Sequence, residues 1–270
     1  MTKEITSFIA LLIFSLGAHA DIKLSKYAKV YKGGEGAVVT FVPLAGSTEK
    51  KALIEVAGID TEFDGLILLY DLEDQGLTDA YTMKYDGRVS TRLRTNEGDW
   101  SRWTTLYLPD VKDGIELNYK EEASKKLDTA KFLERYKEQE KAGVQEKLAV
   151  FKRAQHTEEA KQAFMSSAAI AQADCGKKFG AEFPWASATE EQLRDYSFSS
   201  YCGEVFNQLA TLCKKSEKSR ASILSKIDTV SCVFGDTLNL RLDGKTLHWT
   251  TAENEPDQET FIKHYLMNEF

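Results

Sequence analysis

The chain has 270 residues, 35 Lys and Arg against 42 Asp and Glu, and a formal net charge of −7 at pH 7. That length supports a sizeable core and suits one large or two modest domains. An acidic chain with no dense Lys/Arg block argues against nucleic acid or an anionic membrane as partner.

The first twenty residues read as an export signal. Lys3 supplies the positive start, residues 8–17 form an apolar run, and Ala18-His19-Ala20 has the small-x-small form that signal peptidase cuts. The run is short for a bilayer span, and no later run is long enough to be an integral span. The expectation is cleavage before Asp21 and a periplasmic or secreted product. Asp21 is not the cysteine that a lipoprotein would acylate.

Residues 26–119 read as β structure. Runs rich in Val, Ile, Leu, Tyr and Thr at 27–31, 37–42, 52–59, 66–72, 80–85, 88–93, 103–108 and 115–119 are separated by turn residues. This is the spacing of an antiparallel sandwich or barrel. No crossover helix intervenes, which excludes a doubly wound parallel sheet. Gly33-Gly34 and Asp86-Gly87 supply residues that tolerate positive φ in tight hairpins. A β-rich domain is expected over 21–120.

Three candidate sites fall in this half. Asp60, Glu62, Asp64 and Asp71, with Gly65 at the sixth position, fit a twelve-residue calcium loop, since calcium takes a cage of hard oxygens. Acids accumulate over 52–83 without a Lys or Arg. Against it, Glu62 stands where Asp or Asn is usual, Asp71 is a short final ligand, and the flanks read as strands. The plainer reading is a polar hairpin turn. Calcium is the one cofactor the sequence raises.

The second candidate is the Asp86-Gly87 hairpin, whose two-residue loop aligns Tyr85 with Arg88, Met83 with Ser90 and Tyr81 with Arg92. Tyr81, Tyr85, Arg88 and Arg92 then share a face, with Arg94 at its edge. They form either a cation–π ladder or a face for an anion or a partner's carboxylates. The third is Trp100-Ser101-Arg102-Trp103, where Trp103, Thr105 and Tyr107 alternate onto one face as a sugar-stacking platform. Burial in the core is the commoner fate of such rings.

From Ser124 to Met165 the pattern turns helical. Phe132 and Tyr136, then Val144, Leu148 and Phe151, mark an apolar stripe with Gly143 as a break. A second helical set runs to about Gly180, and Ser187-Ala188-Thr189-Glu190 reads as a capping box. A helical domain is expected over 121–270. It closes with a three-stranded meander over 231–234, 237–242 and 245–250, turning at Asp243-Gly244, and a short helix at 260–268.

Cys175, Cys202, Cys213 and Cys232 all lie in this half, and an even count in an exported chain reads as two disulfides. Cys202 and Cys213 on one helix would stand about 16 Å apart at ~1.5 Å per residue, too far to bridge. The favoured pairing is Cys175–Cys202 across a helical hairpin and Cys213–Cys232 from helix to strand. Zinc is disfavoured, because no C-x-x-C or histidine pair accompanies them.

Catalytic motifs are sparse. There is no G-x-S-x-G elbow and no H-E-x-x-H helix. Ser47-Thr48-Glu49-Lys50 lacks the partner motifs of S-x-x-K enzymes, and Gly33-Gly34-Glu35-Gly36 precedes no helix. His156, His248 and His264 are isolated. The expectation is an exported α+β protein with a sandwich- or barrel-like first half and a disulfide-bonded helical second half. Its expected role is a non-enzymatic binding or interaction protein of the bacterial envelope, of inhibitor or immunity type, whose partner is a protein or an envelope component. The alternatives are an envelope hydrolase using scattered carboxylates, with or without calcium, and a structural envelope component.

Overall fold

A computed structural model of the chain describes residues 22–46, 50–97, 102–109, 111–253, 255 and 257–270. The expected export signal, Ser47-Thr48-Glu49 and Trp100-Ser101 lie outside the described residues. The chain divides into two units at Val150–Phe151. The boundary expected at residue 120 therefore moves: the helices immediately after it pack on the sheet.

In the first unit, β1 (Lys29–Gly33), β2 (Val38–Pro43), β3 (Lys51–Ala57), β4 (Leu66–Asp74), β5 (Asp79–Tyr85), β6 (Arg88–Glu97), β7 (Arg102–Leu106) and β8 (Ile115–Tyr119) form a closed antiparallel barrel. Each strand pairs with the next, and β8 returns to β1 through Tyr31↔Tyr119 and Gly33↔Leu117. Closure follows from alternation, which sends every second side chain inward. Val39 and Phe41, Ile54 and Val56, Leu68 and Tyr70, Tyr81 and Met83, Leu93, Leu106 and Leu117 fill the interior.

β2, β3 and β4 are apolar on both faces. Their outward Val42, Leu53 and Ile67 meet Phe132 and Tyr136 of α2 (Thr129–Lys141). α1 (Glu121–Lys125) and α3 (Val144–Ala149) flank it. Glu55, on the covered outer face, is matched by the guanidinium of Arg135.

The second unit holds α4 (Arg153–Cys175), β9 (Gly180–Glu182), α5 (Glu190–Asp195), α6 (Phe198–Tyr201), α7 (Glu204–Lys215), α8 (Glu217–Lys226), β10 (Thr229–Phe234), β11 (Asn239–Asp243), β12 (Thr246–Thr251) and α9 (Gln258–Glu269). The capping box sits two residues later than the sequence placed its start: Thr189 caps α5 and Gln192 reciprocates.

The three C-terminal strands share a sheet, but not as a sequential meander. The order is β11–β12–β10–β9, with β10 parallel to both β12 and β9. Strand composition explains the order. β12 buries Leu247, Trp249 and Thr251 fully, which suits a central position, whereas Asn239, Arg241 and Asp243 of β11 are exposed and tolerable only at an edge. The Asp243-Gly244 hairpin is where the sequence put it.

All four cysteines are in disulfides, paired differently from the expectation: Cys175–Cys213 and Cys202–Cys232. α4 and α7 run side by side in the same direction: Phe164 meets Phe206 at 5.6 Å, and further along both helices Cys175 approaches the Leu209 carbonyl at 3.7 Å. Their C-terminal cysteines therefore meet, with Cα atoms 5.1 Å apart. Cys202, ahead of α7, faces Cys232 of the sheet instead. A hairpin of antiparallel helices would have favoured Cys175–Cys202; the strand β9 between α4 and α7 removes that geometry.

Candidate ligand site at the seam between β7 and β8

One end of the barrel is plugged by connections: Ile59 and Phe63 between β3 and β4, Ala37 before β2, and Leu108 after β7 are all buried. Backbones touch there. Gly58 has φ +77, and a Cβ on it would stand 2.6 Å from the Gly36 carbonyl oxygen. The end of α3 seals the β5–β6 turn, because Asp86 and Gly87 donate backbone hydrogen bonds to Leu148 and Ala149 at 2.8 and 3.0 Å.

The segment with calcium-loop spacing is part of this plug. Phe63 is its working residue, 1% exposed and 5.2 Å from the Tyr85 ring. The acids are dispersed. Asp64 accepts from the Gly58 N–H at 2.7 Å, Glu62 accepts from the Tyr85 hydroxyl, Asp71 pairs with Lys51 at 3.4 Å, and Asp60 is exposed. Among the described residues no three His, Cys, Asp or Glu gather as metal ligands.

The β5–β6 hairpin is also reshaped. Tyr85↔Arg88 and Met83↔Ser90 pair as expected, but a bulge slips the register so that Tyr81 faces Leu93. Arg92 is the extra residue, and a bulge re-aims its side chain. Arg92 is 7% exposed, with its guanidinium 4.6 Å from the Tyr85 ring centroid and 5.0 Å from that of Phe63. Its Nε and Nη2 have no hydrogen-bond partner. Burial lowers the Arg92 pKa from its ordinary value, and burial raises that of nearby Tyr70. Arg88 is exposed at the plugged end, while Tyr81 packs on Phe41 at 4.9 Å toward the other. The four residues are thus not brought together as one binding face.

Two seams in the barrel wall part company. β4 and β5 pair only from Asp71↔Thr82 to Asp74↔Asp79. Below that, glutamines of α2 and α3 bond the free edge of β4, beside a cavity of about 280 Å³. The Gln139 and Gln145 Oε1 atoms accept from the Ile67 and Leu69 N–H groups at 2.7 and 2.8 Å, and Gln145 Nε2 donates to the Leu69 carbonyl at 2.7 Å. The side-chain amides stand in for a missing strand.

The second seam is different. β7 and β8 pair from Thr104↔Leu117 to Leu106↔Ile115 and then separate. Beyond that point β7 stays with β6 through Trp103↔Asn96, and β8 stays with β1 through Tyr119↔Tyr31. A cavity of about 430 Å³ fills the opening. Arg102, Trp103 and Thr104 of β7, Asn118 and Tyr119 of β8 and Tyr31 of β1 line it. Alternation from the interior Leu106 and Leu117 turns Arg102, Thr104 and Tyr119 inward and Trp103 and Asn118 outward, so both faces of the wall contribute. Lys29, Asn96 and Leu117 complete it, and no Asp or Glu is among these described lining residues. Tyr31 and Tyr119 meet edge-on at 5.9 Å. A third cavity of about 220 Å³ touches Phe41, Leu72 and Tyr81.

Trp103 is therefore not core: it is 37% exposed beside the cavity, whereas Thr105 and Tyr107, expected beside it on one stacking face, do not line the cavity. Sequence reasoning missed Tyr31, Asn118 and Tyr119, whose approach depends on closure between the first and last strands. In the second unit, Glu182, Ser231, His248 and Arg241 form one row across the open face of the sheet. None of them lines a described cavity. No family model matches the sequence, and no curated protein or solved structure is detectably similar to it.

Proposed function

We propose that the protein is an exported, non-enzymatic binding protein of the bacterial envelope, and that the β7–β8 cleft is where its barrel takes a ligand. The observation that carries this reading is the contrast between the seams. At one seam Gln139 and Gln145 bond the free backbone of β4 and leave a smaller cavity of about 280 Å³ that Lys84, Glu140 and Glu146 also line. The other seam is left as a cavity of about 430 Å³ walled by aromatic, amide and cationic side chains. Eight-stranded barrels are wide enough to hold one small ligand, and pockets for such ligands run from about 300 Å³ upward.

Export is supported by residues 1–20 and by the two disulfides, which persist in oxidising compartments. Among the described residues no helix is long and apolar enough to cross a membrane. The described lining of this cleft holds aromatic, amide and cationic side chains rather than a carboxylate pair. A concave cleft also suits a small ligand better than the flat face that an inhibitor or immunity protein would present.

The test is thermal melting of the chain against a panel of sugars, organic acids, amino acids and fatty acids, with Trp103→Ala in parallel. The reading expects a class that raises the wild-type midpoint and leaves the variant unmoved. Equal shifts in both proteins, or no shift across the panel, would count against it.

A further inference from the structure

Building on the binding reading, we propose that the β7–β8 cleft takes an acidic saccharide unit, a sugar ring bearing a carboxylate. Three groups of lining residues make separate demands on the ligand. Trp103 and Tyr119 are large rings held 37% and 52% exposed at the cleft, where an apolar C–H face can stack. Asn118 offers both an amide donor and an acceptor, the complement of a ring hydroxyl. Arg102 supplies a fork of donors matched to a carboxylate.

Arg102 and Asn118 make no hydrogen bond or ion pair among the described residues, unlike the Arg135 and Gln145 side chains on the helix-covered side of the barrel. Their polar groups are available to a guest. A purely apolar guest would leave them unsatisfied on burial, which costs binding energy. A neutral sugar would leave the guanidinium without its counter-charge. An extended peptide adding as a strand would find only two residues on each side, Arg102 and Trp103 against Asn118 and Tyr119, beyond the last ladder pair. A compact ring carrying hydroxyls and one negative charge meets all three demands.

The experiment is calorimetric titration of the chain with oligogalacturonate, the matching neutral oligogalactose, and benzoate as a charged non-sugar. Oligogalacturonate is expected to bind about tenfold more tightly than the neutral oligomer, the scale of one charge-assisted contact. Arg102→Gln is expected to erase that preference while retaining residual binding of both sugars, and Trp103→Ala to abolish binding of both. Circular dichroism of each variant confirms that it is folded. Equal affinity for the neutral oligomer, benzoate binding as tightly as the sugar acid, or an unchanged preference in Arg102→Gln would overturn the proposal. If no saccharide binds but another panel class stabilises the wild type and not Trp103→Ala, the ligand class fails while the binding reading stands. If nothing in either experiment binds, both fail.

Discussion

The guanidinium of Arg92 lies 4.6 Å from the ring centroid of Tyr85 and 5.0 Å from that of Phe63, clamped between the β5–β6 hairpin and the barrel plug. A buried cation with Nε and Nη2 unbonded is an unusual core residue, and the two rings are what compensate its lost hydration. Shape then matters at this position as much as charge. Arg92→Met, which keeps the length and removes the unsatisfied donors, is expected to unfold in urea within about 1 kcal/mol of the wild type. Arg92→Ala leaves a void under Phe63 and is expected to cost about 2–4 kcal/mol. Equal losses in the two variants would show that the charge, not the volume, holds the plug.

The β4–β5 seam makes its own prediction. Gln145 satisfies both the N–H and the carbonyl of Leu69, and Gln139 satisfies the N–H of Ile67. Gln145→Leu exposes those groups to an apolar neighbour and is expected to cost about 1–3 kcal/mol. Amide hydrogen exchange should accelerate at Leu69 and Ile67 with little change at Val39 or Ile54 in the intact ladder between β2 and β3. Uniform acceleration across the barrel would point to global destabilisation instead.

In the second unit, the Lys177 ammonium joins the carbonyls of Leu224 and Ile227, each at 2.9 Å, to the carboxylate of Asp228, and Lys245 adds a second cation at 3.4 Å. The hydrogen bond from Lys177 is the main reason the Asp228 carboxyl titrates below its ordinary 3.8; burial opposes it, and the attraction of both lysines adds to it. A carboxyl lowered in the folded state stabilises fully above its unfolded value and stops doing so as pH falls through the folded one. Asp228→Asn is therefore expected to melt below the wild type at pH 7, with the deficit shrinking as pH drops past 3.8. A deficit that stays constant into acid would remove the ion pair as its cause.

Much of the barrel was legible because period-2 alternation and the Asp86-Gly87 turn are local signals. Which face of β2 and β3 turns inward was not, because Val42 and Leu53 are as apolar as Phe41 and Ile54. What depends on long-range partners was not legible. The bulge at Arg92 changes which residue faces Tyr81, and nothing in the local pattern marks it. The disulfides depend on the relative direction of α4 and α7, which Cys spacing does not encode. The acids of residues 60–71 imitate a metal loop by spacing, yet Phe63 between them is the residue the fold uses. At the cleft, Trp103 was visible as a stacking candidate, but its neighbours Tyr31 and Tyr119 stand at opposite ends of the barrel sequence and meet only on closure.

The central claim, that the opening between β7 and β8 is the ligand site, is tested most directly by amide chemical-shift mapping of the chain titrated with oligogalacturonate. The account predicts shifts concentrated at Arg102, Trp103, Asn118 and Tyr119, with Phe63, Tyr85 and the second unit unmoved. Shifts centred on the plugged end or on the row from Glu182 to Arg241 would contradict it.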